Sequence, residues 1–208
     1  MIEPKILAMF FTTAILLALS PGPDNLFVMA QAAQQGRKAG LLVTLGLCTG
    51  LLVHTAGVTL GLAALFAASA TAFTLLKCTG AGYLLFLAWQ AFHAGTATGP
   101  TAGVTPLSAA RLYRRGIIMN ITNPKVSVFF LAFLPQFADP ARGPLAPQLL
   151  LLGGVFIVAT IVVFGSISIL AGVLGERLRQ SAWAQKTLNR AAAAIFAGLA
   201  LKLVLAQR

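Results

Sequence analysis

Ser20-Pro21-Gly22-Pro23-Asp24-Asn25 stands between an apolar run at residues 6–19 and a second helix-like run at residues 26–33. A regular helix cannot pass through it, because each proline removes a backbone donor and crowds the preceding turn. Inside a bilayer, such a break exposes backbone polar groups and sets a carboxylate, Asp24, at membrane depth. Broken backbone is tolerated there only against protein or a watery cavity, and an acid within a membrane segment is a candidate functional residue. A second break, Asn120-Ile121-Thr122-Asn123-Pro124-Lys125, opens another apolar run in the other half of the chain.

The surroundings of both breaks read as membrane protein. Of 208 residues, 58% are hydrophobic and 9% charged, against about a quarter charged in soluble domains; the mean hydropathy of +0.89 agrees. Residues 39–72 and 148–174 carry almost no charge and exceed the roughly 20 residues that cross a hydrocarbon core. The formal charge of +11 is spread over short loops and not gathered in one patch, which encodes membrane orientation and argues against nucleic acid. Cys48 and Cys78 lie in apolar runs with neither metal-ligand nor Cys-x-x-Cys spacing, so they read as small hydrophobes, and no metal or cofactor is expected. The first apolar segment, after Lys5, resembles a secretory leader. Equally apolar segments follow it, so it reads as a first transmembrane helix.

Six spans are predicted, at about residues 6–33, 39–66, 73–92, 109–134, 148–174 and 188–205. The first is interrupted at Pro21 to Pro23 and the fourth at Asn123-Pro124. The second carries Gly46, Gly50, Gly57 and Gly61, with His54 between the two pairs; small residues four apart let helix backbones approach closely. Lys77 and Lys202 sit near span ends, where long stems reach the headgroups. Residues 95–108 are uncharged and rich in Gly, Thr, Ala and Pro, a linker on the cytoplasmic side between a first three-helix repeat at 1–94 and a second at 109–208. Three spans per half make the repeats inverted, each with its broken helix first, the pattern that points to a transport site near the bilayer midplane. This repeat rests on span count and break position, without residue-level self-similarity. Arg37 and Lys38, then Arg111, Arg114 and Arg115, then Arg177, Arg179 and Lys186 place their loops in the cytoplasm and both termini outside.

Each break has a structural reading beside a functional one. In the first, Pro21 or Pro23 suits the first helical position and Asp24 or Asn25 the first turn, as at any helix start with an acid favoured by the dipole. In the second, Thr122 or Asn123 caps, Pro124 begins the half-helix, and Lys125 falls in its first turn. A lysine there is a cation at the positive end of a helix and far from water, so an anion is expected beside it. Asp24 is the acid well inside an apolar span, and an Asp24 to Lys125 pair follows. An amino acid offers the same two charges. Its carboxylate would take the helix N-terminal amides and Lys125, and its ammonium Asp24, with hydrogen bonds from Asn25, Asn120 and Asn123 around Gly22 and the prolines. Protonation of Asp24 would couple export to a proton gradient. His54 is either a relay or a histidine hydrogen-bonded in the core.

The chain resembles the LysE/RhtB superfamily of bacterial amino-acid exporters. The resemblance is carried in family order by residues 20–25, by Lys77 with Gly80-Ala81-Gly82-Tyr83-Leu84, by residues 120–125, and by Phe129-Phe130-Leu131-Ala132-Phe133-Leu134-Pro135-Gln136-Phe137. It implies secondary active efflux of amino acids or close derivatives, such as lysine, threonine, homoserine or its lactone, across the cytoplasmic (inner) membrane, driven by the proton motive force. The implied partners are that small molecule, protons and membrane lipid, with a homodimer left open. The second, fifth and sixth spans match only as apolar Gly/Ala-rich segments. An exporter of another small solute is the alternative. A CcdA-type thiol-disulfide electron carrier would need reactive cysteines at the breaks. A hydrolase would need a nucleophile with a base, and neither His54 nor His93 belongs to a serine or metal motif, so no enzyme is expected.

Overall fold

The computed structural model describes residues 2–20, 22–68, 70–93 and 106–205. Pro21 and most of the expected linker, residues 94–105, lie outside the described residues. Proline sets the first boundaries. Pro4 opens α1 (Pro4–Leu19), and the N–H of Ser20 closes it on the Leu16 carbonyl at 3.0 Å. After an extended Gly22, Pro23 opens α2 (Pro23–Gln35), whose axis is bent 65° from α1. Gly36, at φ 84°, then joins α2 to α3 (Arg37–Ala68), a left-handed conformation that favours glycine. α4 (Ala70–His93) follows.

In the second half, the Ser108 hydroxyl accepts from the Arg111 N–H and caps α5 (Ala109–Ile121). A 48° bend leads to the segment opened by Pro124. It runs as α6 (Pro124–Val128), loosens into a π-helical turn (Phe129–Phe133) where the Leu134 N–H reaches the Phe129 carbonyl, and tightens into a 3-10 turn (Leu134–Phe137). Pro135 accounts for the change of register, since it has no N–H for the Leu131 carbonyl and its ring crowds that turn. α7 (Leu145–Gln180) and α8 (Ala182–Leu205) complete the bundle, which contains no strand among the described residues.

Two stretches expected as loops are helix. The polar turn at 34–38 shrinks to Gly36, and residues 175–187 are helical apart from Ser181, because Gln, Arg, Lys and Glu are good helix formers whose polarity alone does not end a helix.

Large apolar side chains point outward as well as inward. Leu45, Leu52 and Leu60 on α3 and Leu150, Val158, Ile161 and Ile169 on α7 are exposed, an apolar exterior too extensive for a soluble monomer. α3 over Arg37–Gly61 and α7 over Leu145–Ala171 are each long and apolar enough to cross a bilayer, and each bent pair passes when taken as one span. Among the described residues, that makes up to four spans by length and composition, against the six expected.

Close backbone contact makes one seam. A Cβ added to Gly46 would strike the Tyr113 carbonyl and come within 2.9 Å of the Gly116 Cα. One added to Gly50 would lie 2.7 Å from the Asn120 Cβ. This pair therefore seats α5 on α3. Gly57 and Gly61 have the same spacing, yet among the described residues a Cβ on either would meet nothing within 4 Å, so no close crossing is seen at the second pair. On the other side of the bundle, Phe10, Phe129, Phe130, Phe133, Phe137 and Phe156 form a buried aromatic core, with neighbouring ring centroids 5.0–6.5 Å apart. The loop beyond it is fixed by buried Gln148, which accepts from the Asp139 N–H at 3.0 Å and donates to the Asp139 carbonyl at 2.9 Å. Exposed Arg142 bonds Glu3 and Asp139, and in that order these raise its guanidinium pKa.

Candidate functional site

A helix that stops leaves its last carbonyls without intrahelical donors, and α1 stops inside the bundle. Two side chains cover those carbonyls. Asn25 Nδ2 donates to the Ala18 carbonyl at 2.7 Å. Lys125 Nζ donates to the Ser20 carbonyl at 3.1 Å and, more weakly, to the Leu17 carbonyl at 3.4 Å. Lys125 begins in the first turn of α6 but delivers its charge to the negative end of α1, where a cation is favoured. Gly22 makes room for it: a Cβ there would sit 3.1 Å from Lys125 Nζ.

The second cross-link runs from the other break. Asn123 Oδ1 accepts from the Lys125 N–H at 3.0 Å, capping α6, and Asn123 Nδ2 donates to Asp24 Oδ2 at 2.8 Å. Asp24 occupies the first turn of α2, where the dipole favours an anion. Asn120 lies one turn back: its carbonyl accepts from the Asn123 N–H at 3.1 Å and from His54 Nε2 at 3.1 Å. The His54 ring lies 5.6 Å from that of Phe130.

The structure thus brings together Asp24, Asn25, Gly22, Asn120, Asn123, Pro124, Lys125 and His54. It does so without the expected contact ion pair. Among the described residues, the ion pairs within 4.0 Å are those of Arg142 with Glu3 and Asp139; Asp24 and Lys125 are joined through Asn123 and the α1 carbonyls instead. Carbonyl acceptors gave no signal in the sequence, because every residue has one. Ser20 carries no charge or motif signal of its own, yet its carbonyl holds Lys125 and its hydroxyl is buried without a partner. Pro23 is exposed at the rim.

Among the described residues, four buried side-chain atoms have no hydrogen-bond partner: Ser20 Oγ, Asp24 Oδ1, Asn25 Oδ1 and Asn120 Oδ1. All four belong to the two breaks. Buried polar atoms are almost always paired, and leaving one unpaired costs about 1 to 3 kcal/mol, more for a charged group. Three of them lie in the first break, and the fourth, Asn120 Oδ1, lies where α5 meets Gly50 of α3.

An apolar exterior around broken helices that join at buried charges defines a helical membrane protein with a polar centre, the arrangement of a membrane carrier. The sequence model of one family, LysE type translocator, matches residues 15–207. The chain belongs to that family. It is 36% identical over 192 residues, 90% of each chain, to the homoserine/homoserine lactone efflux protein of Salmonella typhimurium. It is 31% identical over 131 residues, 62% of each chain, to the leucine efflux protein of the same organism. An uncharacterized membrane protein of Vibrio cholerae is 34% identical over 198 residues, 95% of this chain and 96% of its own. No solved structure matches.

Proposed function

We propose that the chain exports amino acids or close derivatives across the bacterial cytoplasmic membrane, and that the junction of the two breaks is where the substrate's amino group is held. The observation that carries this is the set of three unpartnered buried oxygens of the first break, Ser20 Oγ, Asp24 Oδ1 and Asn25 Oδ1, beside the bond that joins Asp24 to Asn123 of the second. A relative named for homoserine and its lactone and another named for leucine support a small amine-bearing cargo. In this reading Lys125 is the tie that holds the end of α1 to the start of α6, and Asn123 orients Asp24. A proton on Asp24 alternates with the cargo's ammonium, which couples export to the proton motive force. His54, bonded to the Asn120 carbonyl, lies one residue contact from that centre.

The same reading arranges six spans as two inverted repeats, residues 1–94 and 109–208, with both termini outside. The packing supports it: α1 lies on α7 as α5 lies on α3, and α3 pairs with α7 and α4 with α8, as a pseudo-twofold would require. Cys48 is buried on α3 and Cys78 exposed on α4, away from both breaks, so thiol chemistry has no support there. The test is efflux of a panel of labelled amino acids, leucine and homoserine first, from cells carrying and lacking the protein. Carrier-dependent loss of at least one is expected; equal retention of all would overturn the reading.

A further inference from the structure

We infer that His54 is a positioning residue: its Nε2–H holds the end of α5, and through that end the Asn123 amide that orients Asp24. This rests on the reading of the junction as the transport site and adds to it a residue that acts only through others. Gly46, Gly50 and His54 stand four apart on α3 and share one face, which follows α5 toward its break. The two glycines let α5 lie close, Gly116 against Gly46 and Asn120 against Gly50. One turn further on, α5 has ended at Ile121 and the chain bends by 48°, so contact there passes from backbone to a longer side chain. His54 supplies it, reaching the Asn120 carbonyl at 3.1 Å.

The acceptor fixes the tautomer. A carbonyl only accepts, so Nε2 carries the hydrogen. The same carbonyl takes the Asn123 N–H at 3.1 Å, and the two bonds together set the turn between α5 and α6. From that turn the Asn123 side chain caps α6 and donates to Asp24. The other bonds at the end of α5 are local, since the Thr122 N–H and hydroxyl both go to the Ile118 carbonyl. Among the described residues, His54 is thus the side chain of another helix that ties this end, as Lys125 ties the end of α1. Each broken helix is closed by a nitrogen donor from the other half of the chain, at the end where the dipole favours one. The same geometry argues against a relay. A peptide carbonyl has no proton to pass on, so the path from Nε2 stops at Asn120, and the ring itself packs on Phe130.

His54→Gln keeps an N–H donor near the place of Nε2, His54→Phe keeps a ring for Phe130 without the donor, and the amide of His54→Asn is too short to reach. Uptake of labelled leucine and homoserine into inverted membrane vesicles is measured beside hydrogen–deuterium exchange of residues 118–126 in the purified full chain. Glutamine should restore the wild-type rate to within about twofold at every pH from about 5 to 8, the range in which a histidine relay would change charge. Phenylalanine should slow transport by about threefold to tenfold, the loss of one hydrogen bond, with the pH profile unchanged, and should speed exchange where glutamine does not. Asparagine takes its place should the phenylalanine variant fail to fold. Glutamine rates as low as those of phenylalanine, with the pH response lost, would overturn the inference in favour of a relay. Unchanged transport or unchanged exchange in both donorless variants would overturn it as well. Wild-type vesicles that take up neither amino acid would overturn the transport reading by itself. Exchange then decides whether His54 holds the break: faster with phenylalanine and not with glutamine keeps that part, and any other pattern sinks it.

Discussion

Gly46→Ala and Gly57→Ala make the same chemical change on one face-to-face and one open position of the same helix, so their difference measures the α3 to α5 seam. The alanine methyl at position 46 would lie 2.9 Å from the Gly116 Cα and strike the Tyr113 carbonyl. Both are backbone atoms, and neither can rotate away. Ordinary contact needs about 3.5 to 4.0 Å, so α5 must retreat by roughly 1 Å, a gap that forfeits about a quarter to a half of each contact along the crossing. Overpacking of this kind costs about 1 to 3 kcal/mol. At position 57 the methyl meets nothing within 4 Å among the described residues, and alanine's better helix propensity, up to about 1 kcal/mol, is common to both positions and drops out of the difference. Reversible unfolding in mixed detergent, with membrane abundance beside it, should therefore separate the two by about 1 to 3 kcal/mol. Equal stability, or a larger loss at Gly57, would refute the assignment of the first glycine pair to the seam and the second to open surface.

Lys125→Met strands the carbonyls of Leu17 and Ser20 and should lower folded yield, whereas Asp24→Asn keeps an acceptor for Asn123 and should accumulate without exporting. Because the loss at Lys125 lies with carbonyls and not with Asp24, immunoblots of membranes should show no recovery in the double variant; full recovery would restore the direct ion pair. In a variant lacking Cys48 and Cys78, single cysteines at Arg37 and Arg111 should be protected from an impermeant thiol reagent in intact cells and one at Ala141 labelled, and the reverse pattern would invert the orientation. Gln148→Leu should cost about 1 to 3 kcal/mol and speed proteolysis at residues 138–144, since it leaves the backbone of Asp139 without its partner; unchanged cleavage would show that the loop is held by other contacts.

What could be read in the sequence is what acts through the local backbone. Pro23 and Pro124 each suit the first turn of a helix and interrupt the one before, so both breaks were legible before any packing was known. Pro135 was equally visible, but its effect was not, because a missing donor can be answered by a stop, a kink or a change of register, and only the surrounding phenylalanines select the π turn. Spacing could not separate Gly46 from Gly57, since the two differ solely in what lies opposite: α5 covers one and not the other. The misread at Lys125 has the same root. Charge counting finds partners among side chains, and Asp24 was the acid to find, yet the end of α1 offers carbonyl oxygens aligned in a dipole that needs no sequence signature. Once Lys125 takes those carbonyls, Asp24 keeps one oxygen paired and one unpaired. The absence of the ion pair is thus what leaves that oxygen without a partner, the condition that the proposed role of Asp24 requires and that a closed salt bridge would have denied it.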